Sequence, residues 1–389
     1  MTHPTALDRR RLIQGTASLG VLGLAGCATT SAPKPAPPIH LAPIRANLDR
    51  LFDITVCLRP FRAQGPRLDT EEVGRKLVVH NYGHGGSGWS LSWGSAHVVV
   101  AKAMQSSPKE IAVIGCGALG LTAAITAQQA GANVTIYARD LLPDTRSARA
   151  TGSWTPDSRI ALTDKVAPDF PALWEQMARI SFKTYRRYLG LPGNPVEWTD
   201  RYYLGGGEHA GQHPPSPLDF ASYSDRILDI TPKSEELPPG ATEFPPTSSV
   251  RRTSLMQFNI ADYGHTLMGD FLAAGGRFVH AEFGTLGDVA RLKESVIINC
   301  TGYGAREMCR DESIVPVRGQ IGWLIPQPEV NYGLYWDGVS VLSRRDGIVV
   351  QVLQGGDMRG YNDANETIDR AESEDAVNRI AALYAKLGS

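Results

Sequence analysis

The chain has 389 residues, enough for one large domain or two moderate ones with a full apolar core. Lys and Arg number 39 against 40 Asp and Glu, a net charge of −1, so the basic surplus that nucleic acid or an anionic lipid surface would call for is missing. The five cysteines, Cys27, Cys57, Cys116, Cys300 and Cys309, make no CxxC and no Cys/His metal spacing, so neither a zinc site nor an assured disulfide is expected.

Residues 1–26 read as an export signal. Arg9, Arg10 and Arg11 form a basic start, 12–24 is an apolar and small-residue segment, and Leu24-Ala25-Gly26-Cys27 follows. The Asp8-Arg9-Arg10-Arg11-Leu12-Ile13 run resembles a twin-arginine motif, and Leu-Ala-Gly-Cys resembles a bacterial lipoprotein processing box. Together they imply export of a folded protein to the bacterial periplasm and a lipid anchor at Cys27, the one expected membrane contact. A plain N-terminal anchor or a chance basic tail is the alternative. Residues 27–43, rich in Ala, Pro, Ser and Thr, read as a tether, with folding expected to start near Ile44.

A strand is expected over 53–62, carrying Leu58-Arg59-Pro60. The residues alone leave Arg59 open between a surface or structural ion-pair role and a clamp for a carboxylate, which a planar guanidinium grips with two parallel bonds. Next comes His80-Asn81-Tyr82-Gly83-His84-Gly85-Gly86-Ser87-Gly88, leading into a helix. His80 and His84 stand four apart, but a glycine-rich loop does not hold them on one helical face, so a metal is not expected there.

Residues 109–124 predict a strand, a glycine turn and a helix. Ile111 to Ile114 is a short apolar run suited to a buried parallel strand, and Leu119, Ala123, Ala124 and Ala127 recur at helical spacing. Gly115 allows the tight turn, Gly117 lets the backbone approach a pyrophosphate, and Gly120 permits close helix–strand contact, with the diphosphate at the positive helix end. A second strand over 133–138 ends at Asp140, twenty residues past Gly120, where a ribose-binding acid is expected. A purely structural turn is the bland alternative. Arg139 beside Asp140 also leaves room for a 2′-phosphate and hence a nicotinamide enzyme.

Residues 205–250 are rich in Gly, Pro and Ser and read as irregular loops. Residues 366–387 form an amphipathic helix that closes the chain.

The His80 to Gly88 block resembles the signature of the D-amino-acid oxidase family of flavoproteins. The resemblance implies an α/β fold: a Rossmann-like FAD-binding domain with a second, antiparallel-sheet substrate domain. It implies FAD as cofactor, and speaks against the nicotinamide reading. In the family this loop lies over the flavin, which implies Gly85, Gly86, Ser87, Gly88 and Ser90 against the isoalloxazine. Arg149-Ala150-Thr151-Gly152-Ser153-Trp154 resembles the loop on the flavin's pyrimidine side, so Gly152 and Ser153 join Gly115, Gly117, Gly120 and Asp140 as implied FAD contacts. The Leu-Arg-Pro strand resembles the one whose arginine clamps the substrate carboxylate, which implies that role for Arg59. The segments 297–302, 315–321 and 343–350 resemble the family's returning strand, central PxRGQ strand and following hairpin.

In the family the Arg59 and His80 blocks follow the nucleotide-binding strand, whereas here they precede it, so the chain resembles a circular permutant. Its expected divisions are signal 1–26, tether 27–43, a permuted FAD/substrate-binding segment 44–108, a dinucleotide-binding core 109–160, mainly substrate domain 161–285, and the remainder of both domains 286–389. The pattern departs in one place: the stretch 245–255 lacks the tyrosines expected before a Thr-Ser-Leu segment. Arg251 or Arg252 there is a candidate for a second substrate carboxylate, with a solvated arginine pair as the alternative. The activity implied is FAD-dependent oxidative deamination of a D-amino acid, acidic ones included, to a 2-oxo acid and ammonia, with oxygen or another acceptor taking the electrons. A glycine- or sarcosine-type amine oxidase and a catalytically silent, lipid-anchored binding protein are the rivals.

Overall fold

The computed structural model describes residues 37–209, 216–245 and 249–386. The expected export signal, Cys27 and most of the tether lie outside the described residues. The tether ends earlier than expected: Ile39 donates its N–H to the carbonyl of Ala241 at 2.8 Å, so 38–43 already belongs to the compact unit that spans 38–389.

In chain order the unit contains β1 (Leu51–Arg62), β2 (Thr70–Val73), β3 (Lys76–His80), α1 (Gly88–Ala103), β4 (Glu110–Ile114), α2 (Ala118–Gln129) and β5 (Asn133–Ala138). There follow α3 (Phe170–Tyr185), β6 (Val196–Leu204), β7 (Glu235–Leu237), β8 (Val250–Phe258), α4 (Ile260–Ala273) and β9 (Arg277–His280). The last part holds β10 (Val296–Asn299), α5 (Ala305–Met308), β11 (Ile314–Leu324), β12 (Gly333–Trp336), β13 (Val339–Arg344), β14 (Gly347–Val352) and α6 (Arg370–Ala385).

Among the described residues these strands make two sheets. One has the order β2-β3-β10-β4-β5-β9, and every pair after β2–β3 is parallel. The middles of its central strands are apolar because both faces are covered: Ile111, Val113, Val79 and Ile298 enter the main core with α1 and α2, while Val78, Ala112 and Ile297 pack on the opposite side with Met308. On the first side, Gly94 lets α1 and α3 touch, since a β-carbon there would lie 2.1 Å from the carbonyl oxygen of Met177.

The other sheet is mostly antiparallel, in the order β1-β11-β14-β13-β12-β6-β8-β7. Helix α6 covers one of its faces with Ala376, Val377, Ile380 and Leu383, at the spacing of a single helical stripe. Asp369 caps that helix by accepting the N–H of Glu372. The α/β architecture with a second, antiparallel sheet is the one expected. Within the stretch 161–285, expected to be mainly substrate domain, β9 pairs with β5 in the parallel sheet while β6 to β8 lie in the other.

Candidate active site

The glycine turn after β4 is built on close backbone approaches. Gly115 has φ +100°, and a β-carbon on it would lie 2.5 Å from the carbonyl oxygen of Cys300. One on Gly120 would lie 2.0 Å from the carbonyl oxygen of Gly115, the helix–strand contact its position predicts. Gly117 precedes α2 and faces Ser147, whose hydroxyl accepts the N–H of Ala118 at 3.0 Å. At the end of β5, Asp140 holds Arg139 at 3.0 Å, and Arg139 also reaches Glu282 at 3.1 Å. With two carboxylates on it, Arg139 is not a free cation awaiting a 2′-phosphate.

The loop from β3 to α1 is wedged between two segments. Gly85 donates its N–H to the carbonyl of Pro60 at 2.8 Å, and its φ of +54° brings it so near the carbonyl of Arg159 that a β-carbon would sit 1.9 Å away. Gly86 donates to the carbonyl of Ser158 at 3.0 Å. The side chains of Ser87 and Ser90 turn into the protein: Ser87 Oγ donates to the carbonyl of Ser158 at 3.0 Å, and Ser90 Oγ accepts the N–H of Thr155 at 2.8 Å. These serine side chains clamp 153–158 against the loop and do not face the cleft described below, which leaves backbone groups for the expected flavin contact. His84 is fully buried. Ser95 donates its hydroxyl to Asn81 Oδ1 at 2.6 Å and so accepts from His84 Nε2 at 2.8 Å, leaving Nδ1 without a partner among the described residues. Burial pushes the imidazole down to about 3, so it is neutral.

These pieces line one cleft of about 1290 Å³. Gly115, Gly117, Tyr137, Asp140 and Thr301 wall one part of it, and Arg59, Gly85, Gly86, Gly88 and Gly319 another. Gly120 stands behind the wall. Arg146 and Arg149 also line it, the first lying over the Tyr303 ring at 5.6 Å.

Arg59 sits where β1 pairs with β11, in the register Arg59 to Val317 and Cys57 to Gly319. Its guanidinium lies over Gly319 and donates from Nη1 to the carbonyl of Arg318 at 3.4 Å. Among the described residues it makes no ion pair with a carboxylate. Burial pulls its basicity down, with Cys57 and then Asp357 opposing. Arg59 and Gly319 also line a second cavity, of about 210 Å³, next to Arg159, Gln351 and Gly360.

Three expected site residues stand elsewhere. Gly152 and Ser153 pair with the end of β8: Gly152 accepts the N–H of Phe258 at 2.7 Å and Ser153 bridges Gln257. Their neighbours Ala150 and Thr151 line the cleft instead. Arg251 is exposed on β8, over the Tyr203 ring at 4.9 Å, and lines neither cavity. Arg59 is on the first strand of the sheet and Arg251 on the seventh, so sheet order separates them. Its neighbour Arg252 pairs with Glu235 and lies 3.8 Å from Asp200.

Two arginines escaped the sequence reading. Arg344 is buried in ion pair with Asp346, lies over the Trp323 ring at 4.9 Å, and donates from Nη1 to the carbonyl of Ala150 at 2.7 Å. It ties a wall of the cleft to the antiparallel sheet. Arg159 is buried at φ +48°, donating to the carbonyls of Asp357 at 2.8 Å and Gly356 at 2.9 Å. Burial pulls it down to about 10, with repulsion from Arg59 adding to the fall and Asp357 opposing it.

The residues present fit a dinucleotide cofactor. The glycine cradle has no room for β-carbons, and the cleft is larger than the roughly 300–1,000 Å³ of ordinary small-ligand pockets. Among the described residues no group of His, Cys, Asp and Glu is arranged to hold a metal ion, and no helix is long and apolar enough to cross a membrane.

Comparison with known proteins agrees with that fit. The DAO family, described as FAD dependent oxidoreductase, matches residues 110–389. The chain is 28% identical to a D-amino-acid oxidase of Rubrobacter xylanophilus over 213 residues, 54% of this chain and 57% of that protein. It is 29% identical to a D-amino-acid oxidase of Streptomyces coelicolor over 214 residues, 54% and 58% respectively. The chain thus spans a little over half the length of these relatives. A crystal structure of glycine oxidase from Geobacillus kaustophilus shares the fold, with a TM-score of 0.50 at 12% identity, over 72% of this chain and 78% of that one. The chain belongs to the DAO family of FAD-dependent oxidoreductases.

Proposed function

We propose that the protein oxidises a D-amino acid to its imine, which water then hydrolyses to a 2-oxo acid and ammonia. The observation that carries this reading is Arg59, a deep-set guanidinium with no carboxylate partner among the described residues, at the junction of the large cleft and the 210 Å³ cavity. Such a group binds an α-carboxylate through two parallel bonds, and the desolvated site strengthens the contact. The glycine cradle, Asp140 and the Gly85-Gly86 loop would hold FAD in the 1290 Å³ cleft, where it would supply the hydride acceptor. The chain's own part is positioning: Arg59 fixes the carboxylate, Gly85 and Gly86 keep the wall flat, and the amine binds unprotonated, so no base is required. Oxygen or another acceptor then takes the electrons.

The circular permutation belongs to the same reading. Ile44, Ala46 and Leu51 share a hydrophobic cluster with Ala376, Ile380 and Leu383 of α6, so the start and end of the folded unit are neighbours, as a transposed cut requires. Export through a twin-arginine signal and a lipid anchor at Cys27 are proposed from the sequence alone.

The test is an anaerobic absorbance titration of the FAD-loaded protein with a panel of D- and L-amino acids, glycine and sarcosine. Bleaching by D-amino acids is expected. Bleaching by glycine or sarcosine alone would transfer the reading to small amines, and no bleaching by any amine would overturn it.

A further inference from the structure

The 210 Å³ cavity beside Arg59 has a charge surplus that one substrate carboxylate does not exhaust. Arg59, Arg159, Arg318 and Arg359 line it, against Asp363 and Glu372. Glu372 is committed to Arg359 at 2.9 Å and Arg318 at 3.8 Å, and Arg318 is further occupied by the carbonyls of Asn365 and Thr367. Asp363 accepts the N–H of Asn365 at 2.9 Å on Oδ1 and makes no ion pair among the described residues, which leaves Arg59 and Arg159 without a carboxylate of the lining.

The two are built into one wall. Gly85 bonds the carbonyl of Pro60, the residue after Arg59, and abuts the carbonyl of Arg159, so a single loop residue sets their spacing. Arg159 is held by Nε and Nη2 on two backbone carbonyls, and its Nη1 has no hydrogen bond among the described residues. The nearest carboxylate, Asp357, is 3.6 Å away and half exposed, with 53% of its side chain accessible. Two buried cations sharing a small cavity call for anionic charge, because buried charges persist only when paired. One substrate carboxylate on Arg59 answers half of this.

We propose that Arg159 is a specificity-determining residue whose guanidinium takes a second carboxylate, on the side chain of a dicarboxylic substrate whose α-carboxylate lies on Arg59. This rests on the reading of Arg59 above. The cavity's size limits the side chain to a few atoms, in the range of aspartate and glutamate. Arg251, the sequence candidate for this task, is replaced by a residue that shares the cavity with Arg59.

The experiment compares succinate with butyrate, which have the same chain length but two carboxylates and one, as ligands of the FAD-loaded enzyme. Binding is followed by calorimetry and by perturbation of the oxidised flavin spectrum. Wild type is expected to bind succinate at least tenfold more tightly than butyrate. Arg159→Met should bring the two within about twofold while leaving butyrate binding unchanged, and Arg159→Lys should restore part of the preference. Equal binding of the two acids by wild type overturns the proposal. So does a preference that survives in Arg159→Met, or a Lys variant that behaves like the Met variant, as a purely structural clip on 356–357 would. Anaerobic reduction by D-aspartate against D-asparagine separates the two readings. Reduction by both at equal kcat/KM overturns the acidic preference and leaves the amine oxidation standing. A retained succinate preference with no reduction by any amine supports the anion site and overturns the reaction.

Discussion

The guanidinium of Arg59 lies over the backbone of Gly319, where a β-carbon would sit 2.4 Å from Nη1, 2.5 Å from Nη2 and 2.6 Å from Cζ. A residue across the β1–β11 ladder thus sets the height of the proposed carboxylate clamp above the sheet. Any side chain at 319 must push the guanidinium toward the cavity or sideways. Gly319→Ala is expected to keep FAD and raise KM, lowering kcat/KM by roughly 10- to 100-fold, since a displacement of about 1 Å is worth that much in an oriented site. Steady-state kinetics with a flavin stoichiometry check decides it, and unchanged kcat/KM would remove Gly319 from the clamp.

Arg59→Leu removes the charge itself. The loss of a desolvated charge-assisted pair costs about 2–5 kcal/mol, which corresponds to roughly 30-fold or more in kcat/KM. FAD content and melting temperature should stay near wild type, because the Arg59 side chain makes a single long hydrogen bond among the described residues. Turnover at the wild-type rate would exclude Arg59 from substrate binding.

Much of this arrangement was legible because glycine spacing and strand pattern are local. Gly115, Gly117, Gly120, Asp140, Gly85, Gly86 and Arg59 fall where their neighbours in sequence put them. What the sequence hid depends on long-range packing. The serines at 87 and 90 sit in the right loop but turn inward, because the carbonyl of Ser158 and the N–H of Thr155 need partners. Arg251 was misplaced because strand order, invisible in sequence, moves β8 to the far side of the sheet. Arg159 and Arg344 carry no motif at all: one follows a loop turn, the other ends a strand, and only the folded chain brings them to the cleft and its neighbouring cavity.

Arg344 holds two separate parts together. Its Nη1 bonds the carbonyls of Ala150 and Thr151 at 2.7 and 3.4 Å, while Nε bonds Asp346 at 2.8 Å. Arg344→Met should lower stability by about 2–4 kcal/mol by breaking a largely buried pair, and weaken FAD binding about tenfold by freeing the cleft wall. Urea unfolding and fluorescence titration with FAD test the two effects separately. A loss of stability with unchanged FAD affinity would confine Arg344 to packing.

Gly85 tolerates no side chain on two counts, a φ of +54° and a backbone oxygen 1.9 Å from where the β-carbon would lie. Gly85→Ala should cost about 3 kcal/mol or more, since the obstacle is main chain and cannot swing aside. A thermal melt of the variant checks the stability and the bound flavin absorbance checks the site. A melt within about 2 °C of wild type would show that the 159 carbonyl moves freely.

Acid should destabilise the folded chain at a pH set by His84. The imidazole is fully buried and held near 3, whereas in the unfolded chain it titrates at its ordinary value of about 6.5. Below 6.5 the unfolded state therefore binds a proton that the folded state does not, and stability falls as pH falls toward 3. From this one group the loss between pH 8 and pH 5 is about 2 kcal/mol. His80, also lowered by burial and by Arg67, acts in the same direction. Urea midpoints measured from pH 8 to pH 5 should decline with that slope, and His84→Phe, itself less stable at pH 8, should show a flatter decline over the same range. An equally steep decline in the variant would mean that His84 is protonated in the folded protein, and that its Nδ1 has found a partner within the cleft.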